Sequence, residues 1–217
     1  QMPCTKEELK DLLRNLVKKL DTGDQFVYYQ VTRGTGIRNH EFTEGPGNLW
    51  VMLKPAPIPS LKEKIRLITV EDTRFFHCNI KTLNLIPNVM ASQKAKEEGC
   101  QEAVFHRGDR VTECAHSNCH ILKGGRLITA PTDNLILPGI ARAHLIRMCE
   151  QLDIPVEERP FTVAEMMGAD EVLVSSSSKF CLSASEIDGI PVGGKAPALL
   201  EKIQSALEEE FLKETER

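Results

Sequence analysis

In Cys78-Asn79-Ile80-Lys81-Thr82-Leu83-Asn84-Leu85-Ile86-Pro87 one lysine stands among apolar residues, with Ile80 before it and Leu83, Leu85 and Ile86 after it. Asn79 and Thr82 offer polar contacts beside it, and Pro87 opens a new element. A half-buried lysine is driven toward its neutral amine, the form that attacks carbonyl carbons. The pattern makes Lys81 a candidate Schiff-base residue. It equally suits a lysine whose stem lies on apolar surface while its ammonium reaches water. Upstream of this loop, residues 65–70 read as a strand. Downstream, residues 87–98 read as a helix that Pro87 starts and Gly99 stops.

Further out, the N-terminal region begins with Thr5-Lys6-Glu7-Glu8, a capping-box signature. Leu9, Leu12, Leu13, Leu16, Val17 and Leu20 follow at helical spacing, which predicts a helix over 6–20. Residues 25–32 and 50–53 read as strands. Lys54-Pro55-Ala56-Pro57-Ile58-Pro59-Ser60 carries three alternating prolines and favours stiff extended geometry, so residues 55–60 are read as an interdomain linker. After the 65–99 region come two hairpins. One pairs 103–105 with 110–112 across Arg107-Gly108-Asp109; the other pairs 119–122 with 126–129 across Lys123-Gly124-Gly125. Helices are expected over 140–152, 163–167 and 197–212, and strands over 156–158 and 171–175. The order of elements suggests an α+β architecture with mostly antiparallel strands.

The chain has 217 residues, enough for one large domain or two small ones. Its 41% apolar and 27% charged content is that of a globular protein. A net charge of −4 without Lys/Arg clusters argues against nucleic acid as a partner. No apolar run approaches the length of a membrane span, so no membrane association is expected. The seven cysteines (Cys4, Cys78, Cys100, Cys114, Cys119, Cys149 and Cys181) are odd in number and lack C-x-x-C pairing. They read as reduced cytoplasmic thiols.

Four other constellations carry chemistry. Glu113, after the strand at 110–112, could keep a ring nitrogen protonated, as a pyridine-type electron sink requires; a solvated turn glutamate fits as well. Gly139-Ile140-Ala141-Arg142 opens a helix whose amides form an anion site. The serine row 175–178 ends a strand and could add hydroxyls to that site or form a polar loop. Arg38-x-His40 follows a strand and could trap a carboxylate, since a guanidinium matches it bidentately; an exposed basic loop is the alternative. Cys114, His116, Cys119 and His120 invite a zinc reading, but their spacing fits no standard ligand pattern and no metal is expected.

Longer stretches resemble the fold-type IV pyridoxal-phosphate enzymes (aminotransferase class IV), closest to their D-amino-acid (D-alanine) aminotransferase branch. They are VTRGTGIRNHEF at 31–42, VEDTRFFHCNIKTLNLIPNVMASQKAKEEG at 70–99 and VTE at 111–113. NLILPGIAR at 134–142, IPVEERPFT at 154–162 and SEIDGIPV at 185–192 continue the match over essentially the whole chain.

The resemblance implies pyridoxal 5′-phosphate as cofactor and an α+β two-domain fold. Residues 1–54 would be the later part of a small N-terminal domain and 61–217 the large cofactor-binding domain. By matched position, Lys81 would bind the cofactor covalently and shuttle the substrate's α-proton. Glu113 would pair with the ring nitrogen and Leu137 would pack on the ring. Ile140, Ala141, Ser176 and Ser177 would hold the phosphate, and Arg38 and His40 the substrate α-carboxylate. The implied reaction is transamination between a D-amino acid and a 2-oxo acid such as 2-oxoglutarate or pyruvate, in a cytoplasmic homodimer. A branched-chain aminotransferase, an aminodeoxychorismate lyase, or a truncated or non-catalytic member would share the same motifs. The chain departs from the family pattern at Cys114 and His116 beside Glu113, at Ala141, where a threonine is usual, and at Ser177, which also replaces a threonine. The family's N-terminal segment, which supplies an arginine to the phosphate and a tyrosine to the substrate pocket, is expected to be missing.

Overall fold

The structure, a computed structural model, describes residues 2–20, 22–37, 39–57 and 60–214. The chain divides into two compact units, Gln1–Ile58 and Pro59–Arg217. The proline-rich segment at 55–60 falls partly on residues 58 and 59, which lie outside the described residues.

In the first unit, helix α1 (Lys6–Val17) starts where the capping box puts it. Thr5 Oγ1 accepts from the Glu8 amide at 3.3 Å, and Glu8 Oε2 accepts from the Thr5 amide at 2.8 Å. The helix ends at Val17, short of the expected residue 20. Strand β1 (Gln25–Val31) pairs antiparallel with β2 (Leu49–Pro55), Gln25 opposite Pro55 and Val31 opposite Leu49. Of the described residues in this unit, Gly47 alone is buried. The leucines of α1 are amphipathically spaced, yet none is enclosed.

The second unit is built on a nine-stranded mixed sheet. Its strands are β3 (Lys64–Glu71), β4 (Glu102–Arg107), β5 (Arg110–Cys114), β6 (Asn118–Lys123), β7 (Arg126–Thr129), β8 (Val156–Glu158), β9 (Glu171–Ser176), β10 (Phe180–Ile187) and β11 (Ile190–Pro191). The order is β5-β4-β3-β10-β9-β6-β7-β8, with β11 on β10. The pairs β3/β4, β3/β10 and β7/β8 are parallel and the others antiparallel. The sheet is thus mixed, mostly antiparallel as expected.

Both expected hairpins form. In the β6–β7 turn Gly124 and Gly125 have φ of 58° and 77°, the left-handed pair that a type I′ turn requires. Strand β10 is absent from the sequence expectations although it joins β3 to β9 at the centre of the sheet. Its alternation is obscured because Ser183 is as enclosed as Leu182 and Ala184; central strands are buried on both faces.

Helices α2 (Ile86–Glu97), α3 (Ile140–Gln151), α4 (Val163–Met167) and α5 (Pro197–Glu214) complete the unit. Ala91 and Ala95 seat α2 against Ile68 and Phe105 of the sheet. Leu145 and Cys149 of α3 pack with Leu173, Cys181 and Ile203, joining α3, the sheet and α5. The largest cluster, around Leu67, Val104, Ile121, Val174 and Leu182, includes Met166 of α4.

Candidate active site

Glu113 lies inside β5, one residue deeper than the sequence suggested, and is buried. Its Oε2 accepts from the Leu137 amide at 3.0 Å and from Asn118 Nδ2 at 3.1 Å. Its Oε1 accepts from Arg74 Nη1 at 2.6 Å. Burial pushes its carboxyl up to about 7 from 4.5, against the pull of Arg74 and of the Leu137 amide. A carboxylate here is held in orientation by three donors. Oε2 already receives two N–H groups and Oε1 one, so Oε1 has capacity for another.

Asn118 connects this carboxylate to the other candidate elements. Its Nδ2 also donates to the Leu137 carbonyl at 2.9 Å, and its backbone is opposite Ser175 in the β6/β9 ladder. Leu137 is therefore gripped at both ends of its peptide unit. Two residues on, Gly139 is the N-cap of α3 and no side chain caps the helix. A Cβ on Gly139 would overlap Asn118 Oδ1, so any larger residue there must push that side chain aside. The first turn carries Ile140, exposed, and Ala141, half-buried. Amides of a first helical turn lack intrahelical acceptors and favour an anion. Ser176 is half-buried and Ser177 exposed where β9 turns into β10. Asn118 thus links Glu113 and Leu137 directly, with the Gly139–Ala141 turn and the serine row reached through its neighbours.

Lys81 departs from the local expectation. It is exposed, as are Ile80, Leu83, Leu85 and Ile86, so its apolar neighbours do not enclose it. The segment bonds in tight turns, Ile80 N to His77 O at 3.1 Å and Leu85 N to Leu83 O at 2.9 Å. Such turns have no inward-facing row of side chains. The loop is nevertheless anchored on both flanks. The Cys78 amide donates to Asn134 O at 3.0 Å, in the segment leading to Leu137. Asn88 Nδ2 donates to Ala115 O at 2.7 Å, two residues after Glu113. Arg38 lies outside the described residues; His40 is exposed and belongs to the first unit.

The four residues weighed for zinc have other surroundings. Cys114 and Cys119 are buried, and His120 is fully enclosed between Thr129 Oγ1 and Ser175 Oγ, both at 2.8 Å. His116 turns to Glu102, with Nδ1 3.0 Å from Oε2. No group of three or more potential ligands capable of holding a metal occurs among the described residues.

Sequence reasoning missed Arg74 and Asp72. Arg74 Nε and Nη2 donate to Asp72 Oδ1 and Oδ2, each at 2.9 Å, while Nη2 also reaches Leu135 O at 3.2 Å. Arg107 Nε lies 3.2 Å from Asp72 Oδ2. The available signal was Asp72-x-Arg74 at the exit of β3, where alternate residues of an extended chain share a face.

The profile of the amino-transferase class IV family matches residues 1–187. The D-alanine aminotransferase of Listeria monocytogenes (strain F2365) is 38% identical over 218 residues, covering 97% of this chain and 75% of that protein. That of Staphylococcus haemolyticus is 40% identical over 205 residues, covering 92% and 73%. Among solved structures, a Legionella pneumophila protein assigned as a 4-amino-4-deoxychorismate lyase superposes with a TM-score of 0.86 at 22% identity, covering 96% of this chain and 78% of that one. The Escherichia coli branched-chain amino acid aminotransferase gives 0.81 at 21% identity, covering 96% and 73%. The two solved structures establish the fold, and the family profile with the closer sequences establishes the lineage: this chain belongs to the class IV aminotransferases.

Proposed function

We propose that this enzyme transfers the amino group of a D-amino acid, of the D-alanine type, to a 2-oxo acid such as 2-oxoglutarate or pyruvate. Transamination itself follows from the family, as does dependence on pyridoxal 5′-phosphate. The choice of a D-amino acid rests on one observation: D-alanine aminotransferases are 38–40% identical to this chain over nearly its whole length.

The residues present fit the cofactor. A buried carboxylate with spare acceptor capacity, an uncapped helix start and an adjacent serine row make a donor set for a protonated ring nitrogen and a phosphate. When bound, the cofactor supplies the electron sink that stabilises negative charge at the substrate α-carbon. Glu113 would hold the proton on the ring nitrogen. Leu137, its backbone fixed by Glu113 and Asn118, would pack against the ring. The amides of Ile140 and Ala141 and the hydroxyls of Ser176 and Ser177 would bind the phosphate. Lys81 would hold the cofactor through its amine and would move the substrate's α-proton as general base and then acid. Arg38 and His40 would take the α-carboxylate. Residues 61–217 form the cofactor-bearing domain in this reading, joined through the 55–60 linker to the domain of residues 1–54.

The enzyme works as a homodimer in the cytoplasm. Phe76, Ile80, Leu83, Ile86, Val89 and Met90, all exposed within one segment of the second unit, offer an apolar surface that a second copy would cover. Free cysteines support a reducing compartment.

The test is coupled assay of the chain, reconstituted with cofactor, on D-alanine and on L-leucine with 2-oxoglutarate. Turnover of D-alanine at least about tenfold above L-leucine, a separation of about 1.4 kcal/mol, is expected. Preference for L-leucine would move the protein to the branched-chain group, and pyruvate release from aminodeoxychorismate to the lyases. A Lys81→Ala variant that still reduces with borohydride to a cofactor-bearing lysine would sink the assignment of Lys81.

A further inference from the structure

Arg74 sits at the centre of a buried, charge-balanced cluster of two guanidiniums and two carboxylates. Its side chain is 6% exposed, that of Asp72 0% and that of Glu113 7%. Asp72 grips it through the bidentate fork and also binds the Arg74 amide at 3.1 Å. Asp72 is itself fixed by Thr112 Oγ1 at 2.9 Å and by Arg107. Phe105 covers the guanidinium face, its ring centroid 4.6 Å from the Arg74 carbon. Nη1, which Asp72 does not engage, aims an N–H at Glu113 Oε1, at 2.6 Å, the same oxygen that has acceptor capacity left.

We propose that Arg74 is a positioning residue of this site: clamped by Asp72, its guanidinium keeps Glu113 an ionised acceptor, so that the proton shared with the cofactor's ring nitrogen resides on the nitrogen and not on Glu113. This rests on the reading of Glu113 as the ring nitrogen's partner. The physical reason is a contest over one proton. Two adjacent bases share it, and the more basic holds it. Burial makes Glu113 unusually basic, because a desolvated carboxylate gains by becoming neutral. Left alone, Glu113 would take the proton and leave a neutral ring, which is a weaker electron sink. A charge-assisted bond from Arg74 stabilises the carboxylate form and tips the proton toward the ring. Asp72 keeps the guanidinium from swinging away. The total charge of the cluster plus ring is the same for either placement, so the choice is made by this local bond and not by the net field.

The experiment uses the full chain loaded with pyridoxal phosphate labelled with ¹⁵N in the ring, whose chemical shift separates protonated from unprotonated nitrogen. Wild type, Arg74→Lys, Arg74→Gln, Arg74→Met and Glu113→Gln are compared at one neutral pH, with thermal unfolding recorded for each. Loss of an opposite charge at this range moves a carboxyl's pKa by about 1–3. The ratio of protonated to unprotonated ring should therefore fall about tenfold or more in Arg74→Gln and Arg74→Met. Arg74→Lys, which keeps the charge without the fork and leaves the buried cluster neutral, should fall partway; it serves if the uncharged variants do not fold. A wild-type ratio in every Arg74 variant that folds, with the ratio lost in Glu113→Gln, overturns the role of Arg74 and leaves that of Glu113 standing. A wild-type ratio in Glu113→Gln as well overturns both. A purely structural Arg74 would lower the unfolding temperature without moving the ring signal.

Discussion

Two buried titratable side chains oppose one another across the pH range in which the cofactor-free chain would be handled. His120 is enclosed between two hydroxyls, and burial pushes its pKa to about 3 from 6.5. It stays neutral in the folded state while the unfolded chain takes up a proton below 6.5. The stability it contributes is present above 6.5 and lost as the pH falls toward 3. Glu113 runs the other way. With its pKa near 7 against an ordinary 4.5, its contribution is fully present below 4.5 and lost as the pH rises through 7. Each slope is about 1.4 kcal/mol per pH unit, so between 4.5 and 6.5 they cancel. Urea denaturation of Glu113→Gln should expose the His120 slope, stability falling by about 1–1.4 kcal/mol per unit from pH 6.5 to 5. His120→Asn should expose the opposite slope. Parallel pH profiles in wild type and both variants would refute the opposition. Asp72 and Glu102, both held low, the former through Arg74 and the latter through His116, act only below this window. None of this is readable from the sequence, where His120 looked like one of four possible zinc ligands.

At the scale of elements, the start of α3 depends on a contact with β6. Because a Cβ on Gly139 would overlap Asn118 Oδ1, Gly139→Ala must displace Asn118, which holds both Glu113 and the Leu137 carbonyl. Overpacking of this kind costs about 1–3 kcal/mol. Thermal unfolding should report that loss, and fluorescence titration should show weaker binding of pyridoxal phosphate. Unchanged affinity would detach Asn118 from the site. Elements with local signals were legible. The capping box at Thr5 and Glu8, the double glycine at Gly124-Gly125 and the proline-started α2 each fix a boundary through neighbours in sequence. Strand β10 was not, because serines that read as polar surface are accommodated only by the flanking strands β3 and β9.

Across the whole molecule the two units differ in what they enclose. The second holds three apolar clusters on a nine-stranded sheet; the first encloses almost nothing around a two-stranded pair, an arrangement of marginal stability by itself. Hydrogen exchange should therefore find β1 and β2 amides protected far less than those of β3, β9 and β10. Equal protection would mean that the first unit is stabilised by something beyond its own residues. Sedimentation of the chain tests the proposed dimer, which Ile86→Lys with Met90→Lys should dissociate. The sequence by itself determined the family, the cofactor chemistry and the candidacy of Lys81 and Glu113, because motifs matched along the chain carry those. It also set the local helix and hairpin signals. Only the tertiary structure decided that Lys81 is exposed and its apolar neighbours form a surface. It alone brought Arg74 to Glu113 across 39 positions of sequence. Burial and long-range charge pairing arise when distant strands are laid side by side, and no local pattern of residues encodes which ones meet.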